Sequence, residues 1–348
     1  MSATSEAGTL VTRASAAPPR RARLAVTLAI LTVVLVASFF AALFIGRQRL
    51  DLAAVFSDPF ARALFFRLRL PRVLMGLLIG GSLSLVGAAL QALFRNPLAD
   101  PFTLGVSGGG LLGASIALAL GWSARLLGTP LVFLAAFAGA MVAVFLVRAI
   151  ARTGAVLLPG ALLLSGVVVN LVSAAAVLTI QYLADPDSAL RILRWMIGSL
   201  DVVGLAPVGQ MFVVLAPAWI ALLAFSRQLH LLAIDEDTAA TLGVNVGRCE
   251  TAVYLLSALI VGVAVAMGGA IGFVGLIVPH AVRLLFGEDL RIVLPGSLLL
   301  GATFLVLADA LARSALASGE LPVGAITGLL GGPAFLWLLR RRRQYAVM

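Results

Sequence analysis

The stretch RLPRVLMGLLIGGSLSLVGAALQALFRNPLADPFTLGVSGGG, residues 69–110, decides what kind of molecule this is. From Val73 to Phe94 it is apolar, relieved only by the small residues Gly76, Gly80, Gly81, Ser82, Ser84 and Gly87 and by Gln91. A bilayer core roughly 30 Å thick is crossed by about 20 such residues in a helix. Small residues on its faces let neighbouring backbones approach closely in lipid, where packing rather than hydrophobicity holds helices together. Gln91 is expected to hydrogen-bond a neighbouring helix, with lining of a pathway as its other possible role. Asn96-Pro97 and Asp100-Pro101 then end the helix, because proline removes an N–H donor and restricts the residue before it.

Working outward, the same pattern recurs at about 24–46, 105–121, 130–150, 159–183, 204–226, 249–270, 271–286, 291–312 and 322–339. Hydrophobic residues make up 61% of the 348 and charged ones only 11%, with a mean hydropathy of +1.11. Soluble domains are nearer a quarter charged. The runs are continuous rather than alternating, which excludes a β-barrel. An all-α integral membrane protein of about ten transmembrane helices follows, with Gly268, Gly269 and Gly272 marking a sharp reversal between the seventh and eighth spans. Residues 1–23, rich in Ala, Ser, Thr and Pro and closed by arginines, read as a disordered cytoplasmic tail. Residues 24–348 form one transmembrane domain whose first run is too long for a signal-peptide core and reads as an uncleaved span.

The formal net charge of +10 is carried by arginine alone, since the chain has no lysine. That excludes a GxxxxGK[ST] phosphate loop and a lysine Schiff base. The arginines sit between apolar runs, which points to membrane lipid and topology rather than nucleic acid. Cys249, the single cysteine, permits no internal disulfide and is read as inert. With both termini cytoplasmic, 15 arginines fall on inner segments and 10 on outer ones, so the positive-inside rule favours that orientation. Six of the outer ten crowd into 47–72, an excess that asks for its own explanation. Within it PFARALFFRLRLPR (59–72) has the composition of a helix lying in the interface. On the inner side RQLHLLAIDEDTAATLGVNVGR (227–248) is a long polar interruption. Asp235 or Asp237 would cap a short helix ended by Gly243, with a second short turn through Asn245 and Gly247.

Six blocks in order, RLPR (69–72), QALFRNPLADPFTLGVSGG (91–109), LGVNVGR (242–248), GFVGLIVPHAVRLL (272–285), LADALAR (307–313) and ELPVGAITGLLGGPAFLWLL (320–339), resemble the FecCD-type permeases of ATP-binding-cassette importers for siderophores, haem and cobalamin. The resemblance covers about residues 60 to 340 and implies the type II importer permease fold of the cobalamin permeases. It implies a homodimer, or close heterodimer, around a central pathway, seated on two cytoplasmic ABC ATPase subunits and fed by a periplasmic or lipid-anchored substrate-binding protein. Its site would be the bacterial cytoplasmic membrane. No catalysis and no cofactor belong to this chain; ATP and magnesium would sit on the ATPase. The family's ATPase-coupling loop maps onto 227–248, with Asp235, Glu236, Asp237, Leu242, Gly243, Asn245 and Arg248 as contact residues. Its outward arginines, which receive carboxylates of the binding protein, map onto Arg69, Arg72 and Arg313, with Arg62 and Arg67 as weaker candidates. Its inner gate maps onto Thr153, Gly154 and Leu157. Asn170, like Gln91, is placed in a helix–helix hydrogen bond or along the pathway. The cargo would be an iron chelate or haem, with cobalamin as the alternative.

Two rival classes fit single features. An ion-coupled carrier could take a proton on Asp309, the one carboxylate well inside a span, or Na⁺ on backbone carbonyls alone, but would not need the 227–248 loop. Arg313, four residues on, is set to pair with Asp309 instead. An intramembrane serine protease would use Ser107 of GVSG with His280 as base. A lone histidine near a helix end is more simply a structural hydrogen-bonding group.

Overall fold

The computed structural model describes residues 20–46, 52–126, 128–153, 156–157, 159–316 and 319–345. Helices α1 (Arg20–Phe44), α2 (Leu52–Ser57) and α3 (Pro59–Leu93) are followed by α4 (Val106–Ala119), α5 (Leu131–Ala151), α6 (Pro159–Leu183) and α7 (Pro186–Ile197). Then come α8 (Ala206–Ala224), α9 (Ser226–Ile234), α10 (Glu236–Thr241), α11 (Val246–Gly268), α12 (Val274–Phe286), α13 (Leu290–Ser314) and α14 (Val323–Tyr345). Among the described residues seven helices are long and apolar enough to cross a membrane, and α4, α12 and the apolar part of α14 (Val323–Trp337) are shorter apolar helices. Together they fall on the ten apolar runs of the sequence, seven of them long enough to cross. The tail expected over 1–23 lies outside the described residues up to residue 19, and Arg20 already opens α1.

Helix α3 is the axis of the molecule. Asp58 caps it by accepting from the N–H groups of Phe60 and Ala61, and Pro59 takes a first-turn position where no donor is missed. The interfacial helix expected over 59–72 is instead the first part of this span. A π-turn at Phe65–Arg69 joins it to the rest without a break. The cause is Pro71, which has no N–H to offer Arg67; the N–H of Gly204 takes that carbonyl at 2.8 Å. At its far end Arg95 turns left-handed (φ 49°) and the Asn96 N–H returns to the Gln91 carbonyl, a C-terminal cap.

Packing around α3 is backbone on backbone. A Cβ at Gly80 would lie 2.3 Å from the Gly301 carbonyl oxygen of α13, and one at Gly87 only 1.9 Å from that of Gly275 in α12. Any side chain there would push the helices apart. The apolar window of α3 is 89% buried, against 17% for α1 and 28% for α6. The reversal between α11 and α12 falls at 269–273, as the glycines suggested, with Gly269 at φ 70° and Phe273 at φ 68°.

Two ends can be told apart. The first part of α3, which carries Arg69 and Arg72, marks what is here called the arginine end, and the helix finishes at Leu93, just before Arg95, whose Nη2 lies 3.3 Å from Glu236 Oε2 in the loop region. Helix direction then puts the start of α1 and the finish of α14 at the loop end too. Helix α7, which the apolar runs did not include, is capped by Asp185 through the Ser188 N–H. Two short hairpins complete the chain: β1 (Arg125–Leu126) with β2 (Thr129–Pro130), and β3 (Arg152–Thr153) with β4 (Val156–Leu157).

Candidate functional site

At the arginine end the three expected arginines converge on a cavity of about 710 Å3, bordered also by Asp201 and Glu320. Asp309 is 1% exposed, Arg313 4%, Arg69 7% and the Arg72 side chain 13%. Arg313 Nε donates to Asp309 Oδ2 at 2.8 Å, the i,i+4 pair read from the sequence, and Arg72 Nε donates to Oδ1 at 2.9 Å. Both carboxylate oxygens are thus committed to guanidinium donors, leaving no role for Asp309 as a coupling site in this arrangement. Arg72 Nη1 also reaches Asp201 (3.0 Å) and Glu320 (2.6 Å). Three guanidiniums face three carboxylates, so the cluster is neutral, which a largely buried charge network requires.

Arg69 and Arg313 are buried and spend donors on main-chain carbonyls, while both still border the cavity. Arg69 Nη1 donates to the carbonyls of Leu43 and Phe44, and Arg313 donates to those of Ala42 and Ile45. A helix C-terminus leaves its last carbonyls without partners and carries partial negative charge. Two arginines from α3 and α13 answer both deficits for α1, a span with little other burial. Gly46 is placed so that even a Cβ would come within 3.2 Å of Arg69. The part of the cluster that meets solvent is the rim of Arg72 with Asp201 and Glu320, 71% and 43% exposed. Arg62, the weaker candidate, bonds the Val55 and Phe56 carbonyls.

At the loop end the short helix α10 is built from its own sequence. Asp235 Oδ2 accepts from the N–H and the hydroxyl of Thr238, both at 2.8 Å. These hydrogen bonds, the amide first, hold the Asp235 carboxyl below the usual carboxylate range. Glu236 and Asp237 fill the first turn, where acidic groups suit the dipole. Gly243, at φ 85°, ends the helix in a conformation that L side chains rarely adopt. The second short turn expected through Asn245 and Gly247 is instead the start of α11. Asn245 Oδ1 accepts from the Arg248 N–H, so these residues begin a span. The short helix that accompanies α10 precedes it, as α9. Leu242 is left 61% exposed beside Gly243 and Arg248.

Between these ends the polar residues within spans are helix ties. Gln91 Nε2 donates to the carbonyls of Gly275 and Leu276, and its Oε1 accepts from Arg283. Asn170 donates to the Phe102 carbonyl (2.7 Å) and accepts from the Gly108 N–H (2.9 Å) and the Ser107 hydroxyl (3.4 Å). It joins α6 to the break before α4 and also borders an open, mainly apolar cavity of about 540 Å3 with Asp100 and Phe273. Ser107 is therefore engaged by an amide. Of the gate candidates, Thr153 and Leu157 lie on the paired backbone of the β3–β4 hairpin, and Gly154 lies outside the described residues.

Comparison with known proteins gives this architecture its class. The chain is 39% identical to the hemin transport system permease protein HmuU of Yersinia pestis over 282 residues, 81% of this chain and 84% of that relative. It is 42% identical to the cobalamin import system permease protein BtuC of Halobacterium salinarum over 294 residues, 82% of this chain and 76% of that one. Among solved structures, a metal-chelate-type ABC transporter in an inward-facing conformation superimposes with a TM-score of 0.80 at 32% identity, covering 91% of this chain and 99% of that one. The class is that of membrane-spanning permease subunits of ABC transporters. Within it, residues 34–341 match the model of the FecCD transport family, and the chain belongs to that family. An ATPase and a substrate-binding partner are implied by that membership.

Proposed function

We propose that this chain is the permease of an importer that moves an iron chelate or haem across the bacterial cytoplasmic membrane. The match to the FecCD family over residues 34–341, with relatives named for hemin and cobalamin, carries the reading. In it the loop end is cytoplasmic, with both termini, and two chains pair around a central pathway. Two separate ATPase subunits hold ATP and magnesium and perform the hydrolysis. Helix α10 with Leu242, Gly243, Asn245 and Arg248 receives their motion; its self-contained caps support this, because a lever must keep its shape when pushed. A periplasmic or lipid-anchored binding protein docks at the arginine end. The rim of Arg72, Asp201 and Glu320 is the exposed part of that surface, while Arg69 and Arg313 support it from behind. Guanidinium–carboxylate contacts of this kind add register and on-rate more than affinity. The turn at Thr153, Gly154 and Leu157 closes the inner gate, and Asn170 borders the path. Cobalamin is the second reading, favoured by the 42% identity to a cobalamin permease.

The test is reconstitution in liposomes with the ATPase and binding protein, measuring hydrolysis with haem, a ferric siderophore or cobalamin enclosed in the binding protein. Stimulation and uptake by one of these, lost when the ATPase is omitted, is the expected result. Uptake driven by an ion gradient without any ATPase would overturn the importer reading.

A further inference from the structure

Phe273, where the chain reverses between α11 and α12, sits at φ 68° and ψ −22°, in the left-handed region that a bulky side chain rarely enters. Glycine stands one position earlier, at Gly272, and would have taken that conformation at 273 without strain. Strain of this kind persists where the surrounding fold holds a side chain in one place. The place is the middle of the membrane. The Ser84 hydroxyl of α3 donates to the Val274 carbonyl (3.4 Å), and Ser84 lies about midway between Arg72 and Arg95. On one side Phe273 is packed against α14, where a Cβ at Gly331 would come within 2.5 Å of the Phe273 Cβ. On the other it borders the cavity of about 540 Å3 beside α6. The polar groups around that cavity are engaged by one another and by the backbone. Asp100 Oδ1 accepts from the Phe102 N–H (2.8 Å), Thr103 Oγ1 donates to the Asp100 carbonyl (2.6 Å), and Asn170 bonds Phe102 and Gly108. What meets the space is mainly carbon, from Phe102, Leu171 and Leu276 besides Phe273. A hydrophobic constriction bars ions by staying dry.

We propose that Phe273 is the ion seal of the cargo route, a specificity-determining side chain that keeps the resting path dry at mid-membrane and yields to a large cargo. The inference rests on the reading of this cavity as part of an importer's path. A path wide enough for an iron chelate or haem would also pass protons and small ions unless an apolar barrier closed it. The strained backbone fixes where that barrier stands. Beyond the tip of the ring lies Gly332, where even a Cβ would keep 3.9 Å away, so the ring has room to give when a cargo presses on it.

The experiment uses the full chain in sealed liposomes, without ATPase, binding protein or cargo. A pH-sensitive dye is enclosed, a potassium diffusion potential is applied with valinomycin, and the rate of proton entry is read. The unaltered chain is expected to stay near the rate of protein-free liposomes. Phe273→Asn wets the wall and Phe273→Gly removes the ring; each is expected to raise the rate about tenfold, a loss of about 1.4 kcal/mol from the barrier to ions. Both residues accept a left-handed backbone, so neither is expected to unfold the protein. Ala174→Phe, which returns a ring to the same cavity, is expected to restore the seal to the glycine variant. Phe145→Ala, at an exposed position of α5, leaves the rate unchanged. In thermal unfolding Phe273→Gly should melt above Phe273→Ala, since both lose the ring and only glycine is free of the strain. Proton entry in the Asn and Gly variants equal to that of the unaltered chain would overturn the seal. A leak that Ala174→Phe does not repair, or that Phe145→Ala shares, would assign the effect to a loosened fold and overturn it as well. Cargo uptake that needs no ATPase would end the importer reading, while the proton measurement would still decide the part played by Phe273.

Discussion

The arginine end and the loop end look alike in sequence, each a cluster of charges between apolar runs, yet they are built in opposite ways. At the arginine end Arg69, Arg72 and Arg313 are drawn inward, and two of them spend their donors on the carbonyls of α1. At the loop end the charges of Asp235 and Glu236 stay at the surface, and the short helix satisfies its own backbone. One cluster holds the fold together and shows only its rim; the other is seated on the core through Ala239, caps its own helix and shows a leucine. Charge count cannot separate these cases, whereas the destination of each N–H can.

That contrast can be broken by mutation. The largest effect is expected from Asp309→Ala, which leaves Arg72 and Arg313 without their buried partner; loss of about 3–5 kcal/mol should appear in thermal unfolding of the purified protein. Arg69→Ala comes next. It removes the donors to Leu43 and Phe44, costs about 1.5–3 kcal/mol as a charged hydrogen bond to buried acceptors, and should speed hydrogen exchange at the end of α1. Glu320→Gln touches only the rim and should cost about 0–1 kcal/mol, while reducing the salt dependence of binding-protein association. Leu242→Asp should change stability by no more than about 0.5 kcal/mol and still lose ATPase-coupled transport at least tenfold, by the proposed role of that side chain. If Leu242→Asp unfolds the protein as Asp309→Ala does, the contrast is wrong. The smallest effect concerns pH. The folded Asp235 carboxyl titrates below its unfolded value of about 3.9, so its cap contributes fully above that value. The contribution is lost as pH falls through the lowered folded value, and exchange of the Thr238 amide should accelerate only in that acid range.

The seven long spans and the three shorter apolar helices were legible because each rests on a run of apolar residues, a signal that depends on composition alone. The reversal at 269–273 was legible from glycines, as was the short helix ended by Gly243; Asp235 and Asp237 stood as alternative caps, and the fold uses Asp235. What could not be read involved partners distant in sequence. Nothing local to Arg72 says that Asp309 will lie 2.9 Å away, and nothing in RLPR says that its first arginine will cap a helix that ended at Phe44. The π-turn was hidden for the same reason. Pro71 announced an unmatched carbonyl at Arg67, but only the fold supplies Gly204 to meet it. Helix α7 was missed because it is amphipathic, with one polar face, and so forms no continuous apolar run, although Asp185-Pro186 carried an ordinary helix-start signal.

The glycine contacts of α3 have a mechanical meaning. At Gly80 and Gly87 the backbone of α3 meets the backbones of α13 and α12 with no side chain between them, and such a joint has no rotamers with which to absorb a shift. Sliding there would set main chain against main chain, so α3, α12 and α13 hold together as one piece. The break before α4 is seated on α6 in the same way: a Cβ at Gly166 would lie 1.8 Å from the Thr103 carbonyl oxygen, so that joint too is a key in a slot rather than a bearing.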